Sequence, residues 1–289
     1  MARGLDHIAH AVRDLDAAAD LYRRLGFTVG ARNRHPPAWG TQNHIVQLPG
    51  NFIELLTVAD PTHISPHAAK YFSFGAFNRD FLARQQGLAM LVLEGRGAPD
   101  AEEFLLAGIG DFELYEFERE AKRPDGEPIR VAFSLAFASD PRAPETGFFT
   151  CRHRHPENFW NPAFQVHANT ATGVAGVVLI AENPAEHHIF LSAFVGERDL
   201  LATSAGISVK TPRGEIQVMT PATFRDHFGT EPPNIESGAR LAALRFAVRD
   251  LGVVQGLLRD GDLAVSERND RLIVGPQTAL GATLIFERN

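Results

Sequence analysis

Apolar and polar positions alternate along this chain in a repeating plan. Residues 5–12 (LDHIAHAV) form an apolar run that reads as a strand, with Ile8 and Val12 on one face and His7, Ala9 and Ala11 on the other. Asp14 is a good helix N-cap, and residues 16–25 follow with helical spacing until Gly26 ends it. Residues 27–31 read as a second strand. The loop 35–40, with Pro36, Pro37 and Trp39, cannot be regular. Residues 44–48 and 52–58 then read as two strands joined at the turn Pro49-Gly50-Asn51.

The order strand, helix, three strands returns three more times. A second unit has strands at 88–94, 112–118, 129–137 and 148–152, with a helix near 101–109. A third has strands at 174–181, 207–210 and 215–220, a helix near 184–194, and one strand weakly marked. A fourth has strands at 241–248, 263–266, 272–274 and 283–286, with a helix near 250–259. The pentapeptide AVRDL opens both the first and the fourth unit, at Ala11–Leu15 and Ala247–Leu251, so a supersecondary unit has been reused. In that register His7 corresponds to Ala243. Residues 59–86 end in a Phe-rich amphipathic helix (Phe74, Phe77, Phe81), and residues 153–172 are irregular. The chain is expected to divide near residue 165, into a first domain of 1–165 (units 5–58 and 88–152) and a second of 166–289 (units 174–220 and 241–287).

Composition narrows the class. A chain of 289 residues with 44% hydrophobic and 22% charged residues can bury its own core. The single cysteine, Cys151, cannot form an internal disulfide and suits a reducing compartment. The net charge of −7 is spread without a basic block, which argues against nucleic acid. The first residues lack an apolar signal core and no apolar span is long enough for a membrane, so a cytoplasmic protein is expected.

Four strand–helix–three-strand units are the plan of the vicinal oxygen chelate superfamily. Residues 5–27 (LDHIAHAVRDLDAAADLYRRLGF) resemble that superfamily's opening strand and helix. GTQNHIVQLPGNFIELL resembles its closing hairpin, and together they are similar to its glyoxalase-like branch. The resemblance implies an α+β fold of four βαβββ modules forming two half-open barrels, with a divalent metal (Zn, Fe, Mn or Ni) on a concave face. It also implies metal ligands at His7 on the first strand and Glu54 on the last.

Strand alternation points independently to the same pair. His7 lies on the face opposite Ile8, and Glu54 shares a face with Phe52 and Leu56, a costly place for an unpaired charge. His7 and Glu54 therefore converge on one concave surface, either around a metal or in a direct hydrogen bond. The partner unit offers Leu88 or Met90 on its first strand. On its last strand Phe149, Cys151 and His153 share a face, so Cys151 or His153 could reach a metal, and His7, Glu54 and His153 would make a two-histidine, one-carboxylate set. Asn43 and Gln47 face the pocket, while His44 and His10 read as core histidines. In the segment 151–162, Arg152 or Arg154 could hold a substrate carboxylate, His155 could act as acid or base, and Trp160 with Trp39 could supply apolar walls. The third and fourth units offer Gly176 and Ala243 at the first-strand ligand position, which disfavours a ring-cleaving dioxygenase; Glu287 is expected to be solvated.

These readings converge on a metal-dependent glyoxalase-like lyase or isomerase with Glu54 as ligand and base, acting on a small substrate with vicinal oxygens. The alternative is a metal-free protein that binds and sequesters a small molecule. Either role is compatible with a monomer or a homodimer.

Overall fold

The computed structural model describes residues 2–122 and 128–288. Strands β1 (Leu5–Ala11), β2 (Asn33–Arg34), β3 (Thr41–Leu48), β4 (Asn51–Val58), β5 (Gly87–Glu94), β6 (Tyr115–Lys122), β7 (Pro128–Ala138) and β8 (Gly147–His153) form one sheet, ordered β2-β3-β4-β1-β5-β8-β7-β6. Strands β9 (Ala171–Ile180), β10 (Leu200–Thr203), β11 (Gly206–Lys210), β12 (Glu215–Met219), β13 (Arg240–Val248), β14 (Ser266–Arg268), β15 (Arg271–Val274) and β16 (Thr283–Arg288) form another in the equivalent order β10-β11-β12-β9-β13-β16-β15-β14. In each sheet the first strand runs parallel to the fourth and antiparallel to the fifth. The helices are α1 (Leu15–Arg24), α2 (Phe74–Arg84), α3 (Ala98–Leu106), α4 (Pro156–Phe159), α5 (His188–Val195), α6 (Pro221–Phe228) and α7 (Leu251–Asp260). The fold is α+β, built on two curled eight-stranded sheets, as the sequence predicts. No helix among the described residues is long and apolar enough to cross a membrane.

The two copies of AVRDL perform one physical task. Asp14 accepts a hydrogen bond from the Ala17 N–H at the start of α1, and Asp250 accepts from Gly252 and Val253 at the start of α7. Each aspartate satisfies backbone donors that a helix leaves open at its first turn.

Several elements depart from their predicted positions. The ladder with β3 is made by Asn33–Arg34; residues 27–31 form no strand and touch β3 through a single backbone bond. Their backbone is committed elsewhere, Thr28 N to His167 Nδ1 and Gly30 N to Ile45 O. The strand expected at 112–118 lies at Tyr115–Lys122. The one expected at 263–266 lies at Ser266–Arg268, whose tight turn places Asn269 and Asp270 at positive φ. The weak strand of the third unit is Leu200–Thr203, and α6 was not predicted.

The largest apolar core runs between the sheets. It joins Ile8, Tyr22, Leu91, Phe104 and Phe148 of the first half to Phe194, Leu244, Phe246 and Phe286 of the second. The concave face of the second sheet is filled by Phe224 and Phe228 of α6 against Ile180, Ala243 and Ile285. Glu287 is not solvated there: it is 2.6 Å from Arg245 and 2.8 Å from Arg271. Arg245 also reaches Glu215, so this face is closed by packing and ion pairs.

His10 faces this core, fully buried. Its Nε2–H donates to Leu280 O (3.1 Å), so Nδ1 accepts from the Tyr22 hydroxyl (3.0 Å). Burial pushes its pKa down from 6.5 to about 4, against the smaller opposing pull of the Leu280 carbonyl. A neutral histidine in the fold and a protonated one in the unfolded chain make stability fall with acidity. The contribution is complete above pH 6.5 and lost as pH drops toward 4, about 3 kcal/mol over that window. A His10→Gln variant is expected to flatten this part of the pH dependence of the urea midpoint; an unchanged slope would assign it to other groups.

Candidate functional site

The concave face of the first sheet is lined by aromatic side chains but left open. Ser73 caps α2 by accepting from Ala76 N–H, and the helix lays Phe74 and Phe81 across this face. Gly75 permits a close approach: a Cβ there would lie 2.3 Å from the Trp39 carbonyl oxygen, so only glycine lets α2 press Trp39 inward. Trp39, Phe52, Phe74, Phe117, Phe133, Phe149 and Phe159 surround a cavity of about 60 Å³, with His7, His35, Asn43, Glu54, Arg119 and Cys151 as its polar members. Ile45, Arg119 and Phe159 also wall a wider cavity of about 380 Å³, which Gln47 and Trp160 line as well. The inner chamber has room for roughly four water-sized groups, enough for the reacting end of a small molecule.

Glu54 is held on one side only. Asn43 donates from Nδ2 to Glu54 Oε1 (2.6 Å) and to His35 Nε2 (3.1 Å), while Asn33 donates to Asn43 Oδ1 (3.2 Å). His35 therefore donates from Nδ1 to the Thr41 hydroxyl (2.8 Å). Burial pushes the His35 pKa down, helped by the charges of Arg119 and His7 and opposed by Glu54, so it is a neutral partner. The other carboxylate oxygen, Glu54 Oε2, faces His7 Nε2 at 3.9 Å. The His7 ring is clamped by stacking on Phe52 (centroids 4.2 Å apart) and by the edge of Phe149.

Asp6 orients that ring from behind, with Oδ1 2.6 Å from His7 Nδ1. Neighbours in a regular strand point to opposite faces, so this contact needs a local irregularity. A bulge supplies it: β1 pairs with β5 through Leu5↔Leu93 and then His7↔Val92, leaving Asp6 as the extra residue. His153 Nε2 lies 3.2 Å from Asp6 Oδ2. Burial would raise the Asp6 carboxyl, but the charges and hydrogen bonds of His153 and His7 together hold it well below the usual carboxylate range. Asp6 is thus an anion that accepts a hydrogen bond from His7 Nδ1–H and leaves Nε2 turned into the chamber.

Arg119 sits half-buried at the rim of both cavities. No described residue accepts a hydrogen bond from its guanidinium or pairs with it. Burial lowers its pKa and the Glu54 charge raises it. A desolvated, unpaired cation facing a cavity is a binding point for an anion. The signal for it lay in strand alternation, which puts Tyr115, Phe117 and Arg119 on one face. His35 and Asp6 were also missed, the first in an irregular loop and the second displaced by the bulge.

The other expected site residues are distributed as follows. Trp39, Asn43, Phe52, Glu54, His7 and Cys151 line the inner chamber. Gln47 binds Phe159 O and Asn161 N, stapling residues 159–161 onto β3. Trp160 packs over Phe52 and His153. Arg152 and Arg154 are exposed and turn to Arg96 O and to Phe117 O, and His155 lies beside Glu157 outside the inner chamber. His153 faces Asp6 rather than the His7–Glu54 gap.

A glyoxalase-like domain model matches residues 5–195. The chain belongs to this glyoxalase-like family. It also resembles solved structures at low identity, which shows the fold. A hypothetical protein from Staphylococcus aureus superposes with a TM-score of 0.68 at 11% identity, covering 99% of this chain and 100% of that one. A triple mutant of 4-hydroxymandelate synthase from Streptomyces coelicolor gives 0.56 at 12% identity, over 100% and 93%. A xylose isomerase-like TIM barrel/4-hydroxyphenylpyruvate dioxygenase fusion protein gives 0.52 at 12%, over 100% of this chain and 49% of that one. No curated protein matches the chain significantly.

A metal at the positions implied by the glyoxalase-like resemblance would need donors from β1, β4, β5 and β8. Ala9 pairs with Glu54 between β1 and β4, and Val92 with Phe149 between β5 and β8. The counterparts of His7 and Glu54 in the second unit are therefore Met90 and Phe149. Half of that ligand set is an apolar wall, and the His7–Glu54 pair alone does not make a closed coordination site. Among the described residues, the three metal-ligand side chains that cluster within 4.8 Å of one another are Asp6, Cys151 and His153.

Proposed function

We propose that this glyoxalase-like protein is an enzyme of the isomerase or lyase type, moving a proton between neighbouring atoms of a small anionic substrate with vicinal oxygens. The observation that carries the reading is Glu54 Oε2 and His7 Nε2 facing each other across 3.9 Å at the polar end of an aromatic chamber. Glu54, fixed through Oε1 by Asn43, has a free oxygen to take a proton from a carbon next to a carbonyl. His7, which donates Nδ1–H to Asp6, would carry a second proton on Nε2 and donate it to the oxygen on which charge then develops. The ring of phenylalanines excludes water, and Arg119 anchors the substrate's anionic group. No step is assigned to a metal.

A panel of small 2-oxo and 2-hydroxycarbonyl acids in heavy water tests the reading. Enzyme-dependent exchange of the α-proton, followed by proton NMR, is expected for at least one. No exchange with any acid that binds would instead favour a sequestering protein, a role that the aromatic lining also suits. Replacing Arg119 by glutamine removes a charge-assisted pairing and is expected to raise KM roughly 10- to 100-fold with little change in kcat. An unchanged KM would remove Arg119 from the substrate.

A further inference from the structure

We propose that Asp6, Cys151 and His153 form a binding site for a thiophilic divalent ion such as Zn²⁺, on the opposite side of His7 from Glu54. This inference stands apart from the proposed acid–base reaction, since it uses neither Glu54 nor Arg119. Three features of different origin meet at this point. Alternation along β8 puts Cys151 and His153 on one face, two residues apart, and the bulge at Asp6 brings a carboxylate to the same place from the neighbouring side of the sheet. The ligand atoms lie within 4.8 Å of one another. Asp6 Oδ2 and His153 Nε2 are 3.2 Å apart, close to the spacing of about 3.3 Å between two ligands of a tetrahedral zinc ion with bonds near 2.0 Å.

The surroundings fit a cation. Cys151 is buried beside two carboxylates, Asp6 and Glu54, and its thiol is pushed well up, first by burial and then by those charges. A divalent ion would reverse this balance by supplying the missing positive charge. On binding, the S–H proton leaves to solvent and a sulfur–metal bond replaces it, and the proton that His153 Nε2 donates to Asp6 leaves that nitrogen, to Nδ1 or to solvent, so that Nε2 can ligate. His153 Nδ1 is buried with no partner, so it is free to carry the ring proton when Nε2 ligates. A cavity of about 320 Å³ opens onto Asp6, Cys151, His153 and Trp160, giving an entry path and space for a water as fourth ligand. Asp6 Oδ1 would keep its contact with His7 Nδ1, making the ion an outer partner of that histidine.

The test is titration of the intact, chelator-treated chain with Co²⁺ and then Zn²⁺. One Co²⁺ per chain is expected, with a near-ultraviolet sulfur-to-cobalt band that Zn²⁺ displaces. Because Cys151 is the single cysteine, that band can come from no other residue. Cys151→Ser and His153→Gln should each weaken Zn²⁺ binding by at least about 100-fold, beyond the 10- to 100-fold typical of an outer partner. Glu54→Gln should leave it within about threefold. Absence of the band at saturating Co²⁺ overturns the site, and this arm needs no variant to fold. Loss of binding in Glu54→Gln with retention in Cys151→Ser overturns it in favour of an ion between His7 and Glu54.

Discussion

Replacing Glu54 by glutamine is expected to slow α-proton exchange by roughly 10²- to 10⁴-fold, the usual worth of a positioned acid–base group. Glutamine keeps the length of the side chain, and its carbonyl can still accept from Asn43, so the local fold should persist. What is lost is the proton-accepting oxygen that faces His7 Nε2. Substrate affinity should change little, because Arg119 and the aromatic walls remain. Exchange rate by NMR, binding by calorimetry and melting temperature should be measured together. A variant that melts normally and exchanges within threefold of wild type would remove Glu54 from the chemistry.

Substituting Asp100 by alanine should cost about 3–5 kcal/mol of stability, the range for breaking a buried ion pair on one side. Asp100 is fully buried at the start of α3 and accepts from Arg3 Nε and Nη2 (3.0 and 2.8 Å), from the backbone and guanidinium of Arg96, and from the Thr150 hydroxyl. Arg3 is itself buried and donates to Ala193 O and Phe194 O of α5, so one guanidinium ties the two halves of the chain. Alanine leaves that cation in the interior with its main counter-ion gone; Glu103 would be its remaining carboxylate. Burial would raise the Asp100 carboxyl, but Arg96 and Arg3 outweigh it and hold it below the ordinary value. Its stabilisation is therefore complete above about pH 4, the unfolded value, and is lost as pH falls through the lower folded one. Urea unfolding of wild type, Asp100→Ala and Asp100→Asn at pH 7 and pH 3 checks both points. A loss under about 1 kcal/mol at pH 7 would mean that water or Glu103 compensates Arg3.

The local plan of this protein was legible along the chain because it depends on near neighbours. Asp14 and Asp250 cap helices through donors two or three residues away. The two-residue period of β1 and β4 is enough to place His7 and Glu54 on a concave face and His10 in the core. The strand expected at 27–31 failed for a non-local reason, since His167, 139 residues away, takes the Thr28 N–H.

Only the tertiary structure decided the rest of the site. One extra residue in β1 reverses the side to which Asp6 points, and that irregularity exists only in register with β5. Arg119 becomes an unpaired cation because β6, at the far edge of the same sheet, curls toward β3 and leaves no described partner beside it. The concave face of the second sheet, built on the same strand order, is instead packed by Phe224 and Phe228 of α6. Periodicity and capping are energies of a few adjacent residues and can be read from them. A site assembled across a curled sheet is set by which distant strands meet and by what their side chains leave unfilled.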